Sequence, residues 1–272
     1  MYSTARWPSR LLLVAAVLAA WIVAPRRGQA APRPAGPAPF VVVIDPGHGG
    51  ANPGCRAAGG HTVEKEVTLA LAKDLRAALE EQLPGVKVVL TREEDVTMTL
   101  AERAALANRA GADLFISLHA NASPGRDQTG FETYVLDARA ATLEAARTAR
   151  RENDGALAAP GSDPAAVVAV RQLTQSAHLR NAARLARLVQ RAQAALFPTR
   201  PDRGVRQAPF DVLMGVRAPA ILFEAAFLDH PQESAVLVEP ARRRKVAEAL
   251  AAAVAEYDRS VHQRMAPPVS AP

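Results

Sequence analysis

Four side chains in this sequence have the type and setting to do chemistry together: His48, Glu64, His119 and Glu224. His48 follows the apolar run Phe40–Ile44, Glu64 opens a helical pattern, His119 ends Leu114–Leu118, and Glu224 ends Ala220–Phe223. In open α/β sheets ligands bind at the carboxyl ends of strands. Two imidazoles and a carboxylate form a common catalytic zinc set, and a further glutamate can serve as base. The separations of 16, 55 and 105 residues carry little weight alone, so convergence depends on the strand order. Each residue also has a plainer reading. The glycines of IDPGHGG could make only a tight turn, or a phosphate cradle, although the Lys-Ser/Thr of a P-loop is missing. His119 could be a satisfied core histidine, and Glu64 a first-turn carboxylate complementing a helix dipole. Glu224 lies between AILF and AAF, where a buried acid without a partner or a task would cost several kcal/mol.

The elements that must position these residues alternate. Phe40–Ile44 reads as a strand buried on both faces. Val67, Leu71, Leu75 and Leu79 then recur every four positions, which predicts a helix over Glu64–Leu83 with one apolar stripe. Val86–Leu90 is a second strand. Thr99 with Glu102 three residues later forms a capping box for a helix to about Ala110, before the strand Leu114–Leu118. Further strands are expected at Phe131–Leu136 and Ala220–Phe223, and a closing helix at about Ala241–Tyr257. Between Asp137 and Gln193 an Ala-, Arg- and Glu-rich stretch, broken by APGSDP at 159–164, reads as two or three inserted helices. The fold class is therefore α/β: a mixed, largely parallel sheet sandwiched by helices in a single catalytic domain with a helical insertion.

The chain has 272 residues, 49% hydrophobic, which excludes a disordered chain, and its single Cys55 excludes a disulfide-stapled one. Cys55 reads as a buried or half-buried thiol. The formal charge of +6 includes four arginines in a first thirty residues that hold no acid, so the remainder comes to +2 and gives nucleic acid little support as a partner. Residues 1–30 read as a secretory signal: Arg6 and Arg10 precede an apolar run from Leu11 to Ala24, and Gly28 and Ala30 follow. That run is shorter than the roughly 20 residues of a bilayer-spanning helix, so no stable membrane span is expected, an uncleaved anchor being the alternative. Export to the periplasm or cell wall follows. Residues 31–39 form a proline-rich linker, 40–262 the domain, and 263–272 a tail expected to be disordered.

The segments VVVIDPGHGGANPGC at 41–55, EKEVTLALAKDL at 64–75, the stretch at 88–121 ending in FISLHAN, GFETYVL at 130–136 and APAILFEAAFLDHPQE at 218–233 resemble the zinc-dependent N-acetylmuramoyl-L-alanine amidases of bacterial cell-wall turnover. The resemblance implies His48, Glu64 and His119 as zinc ligands and Glu224 as the catalytic glutamate. It favours Glu64 over Glu66, because the family's Glu-Lys pair matches Glu64-Lys65. Departures are Ala226 where the family commonly has glycine and His230 where it has asparagine, which bear on loop details. The implied reaction is attack of zinc-activated water on the amide between N-acetylmuramic acid and L-alanine, with Glu224 moving the proton to the leaving amine. No other cofactor is needed. His61, His178, His230 and His262 read as surface residues or supports of the site.

EAARTARREN at 144–153 resembles the Glu-Asn-ended helix with which division-associated members block their site, which makes Glu152 a candidate inhibitory ligand and implies an activator protein. A solvated glutamate at a helix end is the plainer reading. Two other functions share the fold: a catalytically silent wall-binding protein, and a zinc peptidase acting within the stem peptide. A silent relative should have lost at least one of the four site residues, and none is lost.

Overall fold

The computed structural model describes residues 39–137, 139–154 and 164–265. The expected signal, nearly all of the linker and most of the tail lie outside the described residues. β1 (Val41–Pro46), α1 (Glu64–Gln82), β2 (Lys87–Leu90), α2 (Leu100–Ala110), β3 (Leu114–Asn121) and β4 (Phe131–Leu136) come first. α3 (Leu143–Asp154), α4 (Pro164–Leu196), β5 (Asp202–Ala208), β6 (Ala220–Phe227), α5 (Ser234–Val238) and α6 (Pro240–Met265) follow.

Six strands form one sheet in the order β2-β1-β3-β6-β4-β5. All neighbours pair in parallel except β4 and β6, which run antiparallel, so the sheet is mixed and largely parallel as expected. Alternate side chains along each strand enter two cores. Val42, Ile44, Leu114, Ile116, Ile221 and Phe223 pack beneath α1, α4 and α6, where Leu71, Leu75, Leu185, Val189 and Leu250 meet them. Val43, Phe115, Tyr134 and Leu222 face the other way, against Ala107 of α2 and Ala145 and Ala149 of α3. A strand buried on both faces needs apolar residues at both parities, which is why these segments read as unbroken apolar runs.

The capping box of α2 is present: Glu102 N–H donates to Thr99 Oγ1 at 3.2 Å and Glu102 Oε2 accepts from Thr99 N–H at 2.7 Å. Gly111 ends that helix in the left-handed conformation, with φ of 68°. Two features differ from the sequence reading. β3 and β6 run on to Asn121 and Phe227, so His119 and Glu224 lie within strands rather than after them. β5, with the sequence DRGVRQA, was not expected, because an edge strand carrying two arginines and a glycine shows no apolar alternation. The stretch from 137 to 193 holds two helices among the described residues, within the two or three expected, and α3 and α4 together connect β4 to β5, with Leu185, Ala186 and Val189 of α4 fully buried.

Leu71 sits on the face of α1 whose first residue is Glu64 and is fully buried. Leu71→Ala is expected to cost about 2–5 kcal/mol, whereas Thr99→Ala, which removes only a cap, is expected to cost about 1 kcal/mol. Denaturant unfolding of the two variants checks that order.

Candidate metal centre and active site

The glycine-rich loop after β1 is held from beneath by buried charge. Asp45 is fully buried and accepts from Arg103 Nη1 at 2.7 Å, Thr91 Oγ1 at 2.6 Å and Ser117 Oγ at 2.8 Å. Burial alone would raise its carboxyl, but Arg103 and the two hydroxyls more than reverse this and hold it below the usual aspartate value. Arg103 also donates to the Pro46 and His48 carbonyls, and Arg92 to those of Pro46 and Gly47. His48 is thereby held at φ of 61°, a left-handed conformation that a β-carbon makes unfavourable. Gly47 and Gly54 are needed for close approach. A β-carbon on Gly47 would strike the His119 ring, and one on Gly54 would lie 2.5 Å from Glu64 Oε2 and 2.7 Å from His48 Cδ2.

Strand order then brings the candidates together. β1 and β6 flank β3, and His119 is in register with Glu224 across the β3–β6 pair, where the register shifts between His119 and Asn121. Such irregularities re-aim side chains near active sites. His48 Nε2 lies 3.0 Å from Glu64 Oε1 and 3.2 Å from Glu152 Oε2. His119 Nδ1 lies 3.2 Å and 3.0 Å from the same two oxygens. The second oxygen of Glu64 accepts from Cys55 N–H at 2.9 Å, and its first from Ala120 N–H at 2.9 Å, which fixes the carboxylate's orientation. Glu66 faces away and accepts from Val63 N–H, so the choice between the two glutamates falls on Glu64.

This geometry suits a cation better than a hydrogen-bonded cluster. Ligand atoms about 2.0–2.1 Å from a tetrahedral zinc stand about 3.3 Å apart, close to the four separations here. His48 Nε2 and Glu152 Oε2 are buried without a hydrogen-bond partner, although each has oppositely charged atoms within 3.2 Å. They converge on a common point. Burial opposes charge on the imidazoles, yet Glu64 and Glu152 raise His48 to about 9 and His119 well above the usual histidine value. The two carboxylates respond in the opposite direction: burial raises them, and the imidazoles more than reverse it. A divalent ion answers that field directly.

Glu224 behaves differently. It is buried, its Oε2 has no partner, and its Oε1 lies 3.5 Å from Arg151 Nη2. Burial and then the charge of Glu152 raise its carboxyl well above the usual value.

Residues 42–256 match the model of the N-acetylmuramoyl-L-alanine amidase family. The chain belongs to this family. It is 35% identical over 237 residues to N-acetylmuramoyl-L-alanine amidase AmiC of Neisseria meningitidis, an alignment that covers 86% of this chain and 55% of that protein. It is 32% identical over 222 residues to AmiA of Escherichia coli K12, covering 80% of this chain and 75% of that protein. This chain therefore spans about half the length of the first of these relatives. Among solved structures, an N-acetylmuramoyl-L-alanine amidase from Clostridium difficile 630 superposes with a TM-score of 0.63 at 28% identity, over 82% of this chain and 98% of that one.

For a member of this family, His48, Glu64, His119 and Glu152 form the group of donors able to hold a metal among the described residues. His61 is exposed, and His230 Nδ1 accepts from the Gln232 and Glu233 N–H groups of its own turn. Cys55 is half-buried and donates to the Ala120 carbonyl at 3.3 Å. Among the described residues no helix is long and apolar enough to cross a membrane. Sequence reasoning missed Asp45, Arg92, Arg103, Asn121 and Arg151. Asp45 and Arg103 stand inside the segments that carried the resemblance, but nothing in their local pattern distinguishes a buried charge from a solvated one.

The chain is expected to bind one divalent transition-metal ion. His119→Ala should weaken that binding by more than the roughly 10–100-fold typical of losing a supporting hydrogen bond, read by competitive chelator titration with folding checked by circular dichroism.

Proposed function

We propose that this chain hydrolyses the amide bond between N-acetylmuramic acid and the L-alanine of the peptidoglycan stem peptide. The observation that carries the reading is the register of His119 with Glu224, which sets a raised carboxyl with one unpartnered oxygen beside a buried set of metal donors. His48, Glu64 and His119 would hold zinc, with the Cys55 and Ala120 N–H groups orienting Glu64. Zinc bound there supplies Lewis acidity that acidifies water and polarises a carbonyl oxygen. Glu224 takes the proton of the attacking water and returns it to the departing amine of L-alanine. Burial suits it to both tasks, because a carboxyl with a raised pKa is the stronger base and still gives up its proton to an amine.

The same reading makes α3 an inhibitory element. Glu152 sits among the metal donors, and its neighbour Arg151 reaches Glu224 while donating to the Ala122 carbonyl and to Asn121 Oδ1. Asn153 fastens the end of the helix by donating to the Pro209 carbonyl and accepting from Asp211 N–H. The cavity lined by His48, His119, Glu152 and Asn153 has a volume of about 40 Å³, enough for water but not for a muramyl peptide. Four protein ligands make a closed, structural kind of zinc site, whereas a catalytic one keeps a position open. An activator protein that draws α3 away would open it. The Arg6 to Ala30 signal pattern and the wall substrate support action outside the cytoplasmic membrane, in the periplasm or cell wall.

Purified peptidoglycan digested by the zinc-loaded chain should release peptides beginning with a free L-alanine amine, identified by mass spectrometry. Fragments cut within the stem peptide would overturn the bond assignment. Glu224→Gln should keep its metal and lose about 10²–10⁴ in rate. Glu152→Ala should digest faster than wild type without any partner, and an unchanged rate in a folded variant would remove α3 as the inhibitor.

A further inference from the structure

Glu152 is one of two glutamates of α3 held by ionic contacts to the sheet. The other, Glu144 in its first turn, is gripped by Arg203 Nη2 and by Arg206 Nη1, the latter at 3.1 Å. Both arginines belong to β5, and both also face buried Glu132 of β4, with Nε to Oε2 distances of 3.1 Å from Arg203 and 2.8 Å from Arg206. Glu132 stands opposite Glu224 in the β4–β6 register.

The charges do not balance without α3. One buried carboxylate neutralises one guanidinium, and Glu144 supplies the countercharge of the second. With Glu144 gone, a pair of arginines with side chains only 15% and 18% exposed would present an uncompensated positive charge and the Arg203 Nη2 and Arg206 Nη1 donors that now hold Glu144. Arg203 is also held in place over Phe227, 5.0 Å from the ring centroid. Phe227, Asn121, Ser123, Glu144 and Arg151 line a groove of about 450 Å³, which the pair borders through Glu144 and Glu224 through Arg151. Hydrogen bonds connect the two ends: Asn121 donates to Glu132 at 2.6 Å and accepts from Arg151 at 3.0 Å, and Arg151 reaches Glu224.

We infer that Arg203 and Arg206 form a carboxylate-binding subsite for the stem peptide, occupied by Glu144 while α3 lies on the sheet. The inference rests on the amidase reading and on α3 leaving the groove. Glu144 and Glu152 are eight positions apart, about 12 Å along a helix, and an extended peptide covers that distance in three to four residues. The subsite therefore fits a carboxylate near the third stem residue, such as that of diaminopimelate, counted from the bond that is cut.

The test uses the full chain, zinc-loaded, with Glu144→Gln and Glu152→Ala to vacate both positions and Glu224→Gln to prevent turnover. It is titrated calorimetrically with a muramyl tripeptide ending in diaminopimelate and with the same peptide amidated at the diaminopimelate carboxylates. The acid should bind about tenfold or more tightly than the amide. Adding Arg206→Gln should abolish that difference by weakening the acid alone, and Arg206→Lys should restore part of it. Equal binding of acid and amide, no binding of either, or equal weakening of both by Arg206→Gln would overturn the subsite. The acid–amide comparison needs no arginine variant, so it stands even if Arg206→Gln does not fold. Hydrolysis of the same peptides with Glu224 restored separates the two readings: acid-selective binding without cleavage removes the amidase activity, and cleavage of both peptides at equal KM removes the subsite.

Discussion

Asp45 is a carboxylate with no access to water, and the site is arranged around keeping it satisfied. Stripping such a group of its partner typically costs about 3–5 kcal/mol, so Arg103, Thr91 and Ser117 are not interchangeable with other residues of similar size. The ties that satisfy Asp45 also fix the backbone above it. Arg103 reaches past Asp45 to the carbonyls of Pro46 and His48, and the strained conformation of His48 exists because those acceptors are already committed. Remove the pair and the first imidazole would relax out of reach of Glu64. The second imidazole, inside β3, needs no such support because the sheet holds it.

The strong periodic elements were legible in the sequence because their physics is local. The four-residue stripe of α1, the capping box at Thr99 and Glu102, and the doubly apolar strands all express a burial pattern within one short window. His48, Glu64, His119 and Glu224 could be nominated from strand ends, but only the order β1-β3-β6 explains why residues so far apart in sequence meet. β5 and the buried ionic residues were illegible for a shared reason. In DRGVRQA, and at Asp45, Arg103 and Arg151, charge normally signals solvent, and here the compensating charge comes from a distant part of the chain.

Burial also links the separate carboxylates into one electrostatic system. Glu152 stands close enough to raise the proton affinities of Glu224 and, without a metal, of both imidazoles, so α3 alters the chemistry of the groups it covers. Arg151 works in the other direction on Glu224, and the two neighbours partly cancel there while both block access. A helix so engaged changes the chemistry as well as the shape of the site.

The chain runs directly from β4 into α3 and on to α4, whose buried half is part of the core. If α3 inhibits as proposed, it does so as a tethered element that cannot diffuse away. Its effective concentration at the metal centre is of the millimolar order set by a short tether, whatever the dilution of the protein. Any protein that opens the site must outcompete that concentration for as long as cleavage is to continue, and the site closes when it dissociates. On the proposed reading, switching would be limited by the lifetime of the activating complex rather than by synthesis or destruction of the chain, and cutting would be confined to the place where that complex is assembled.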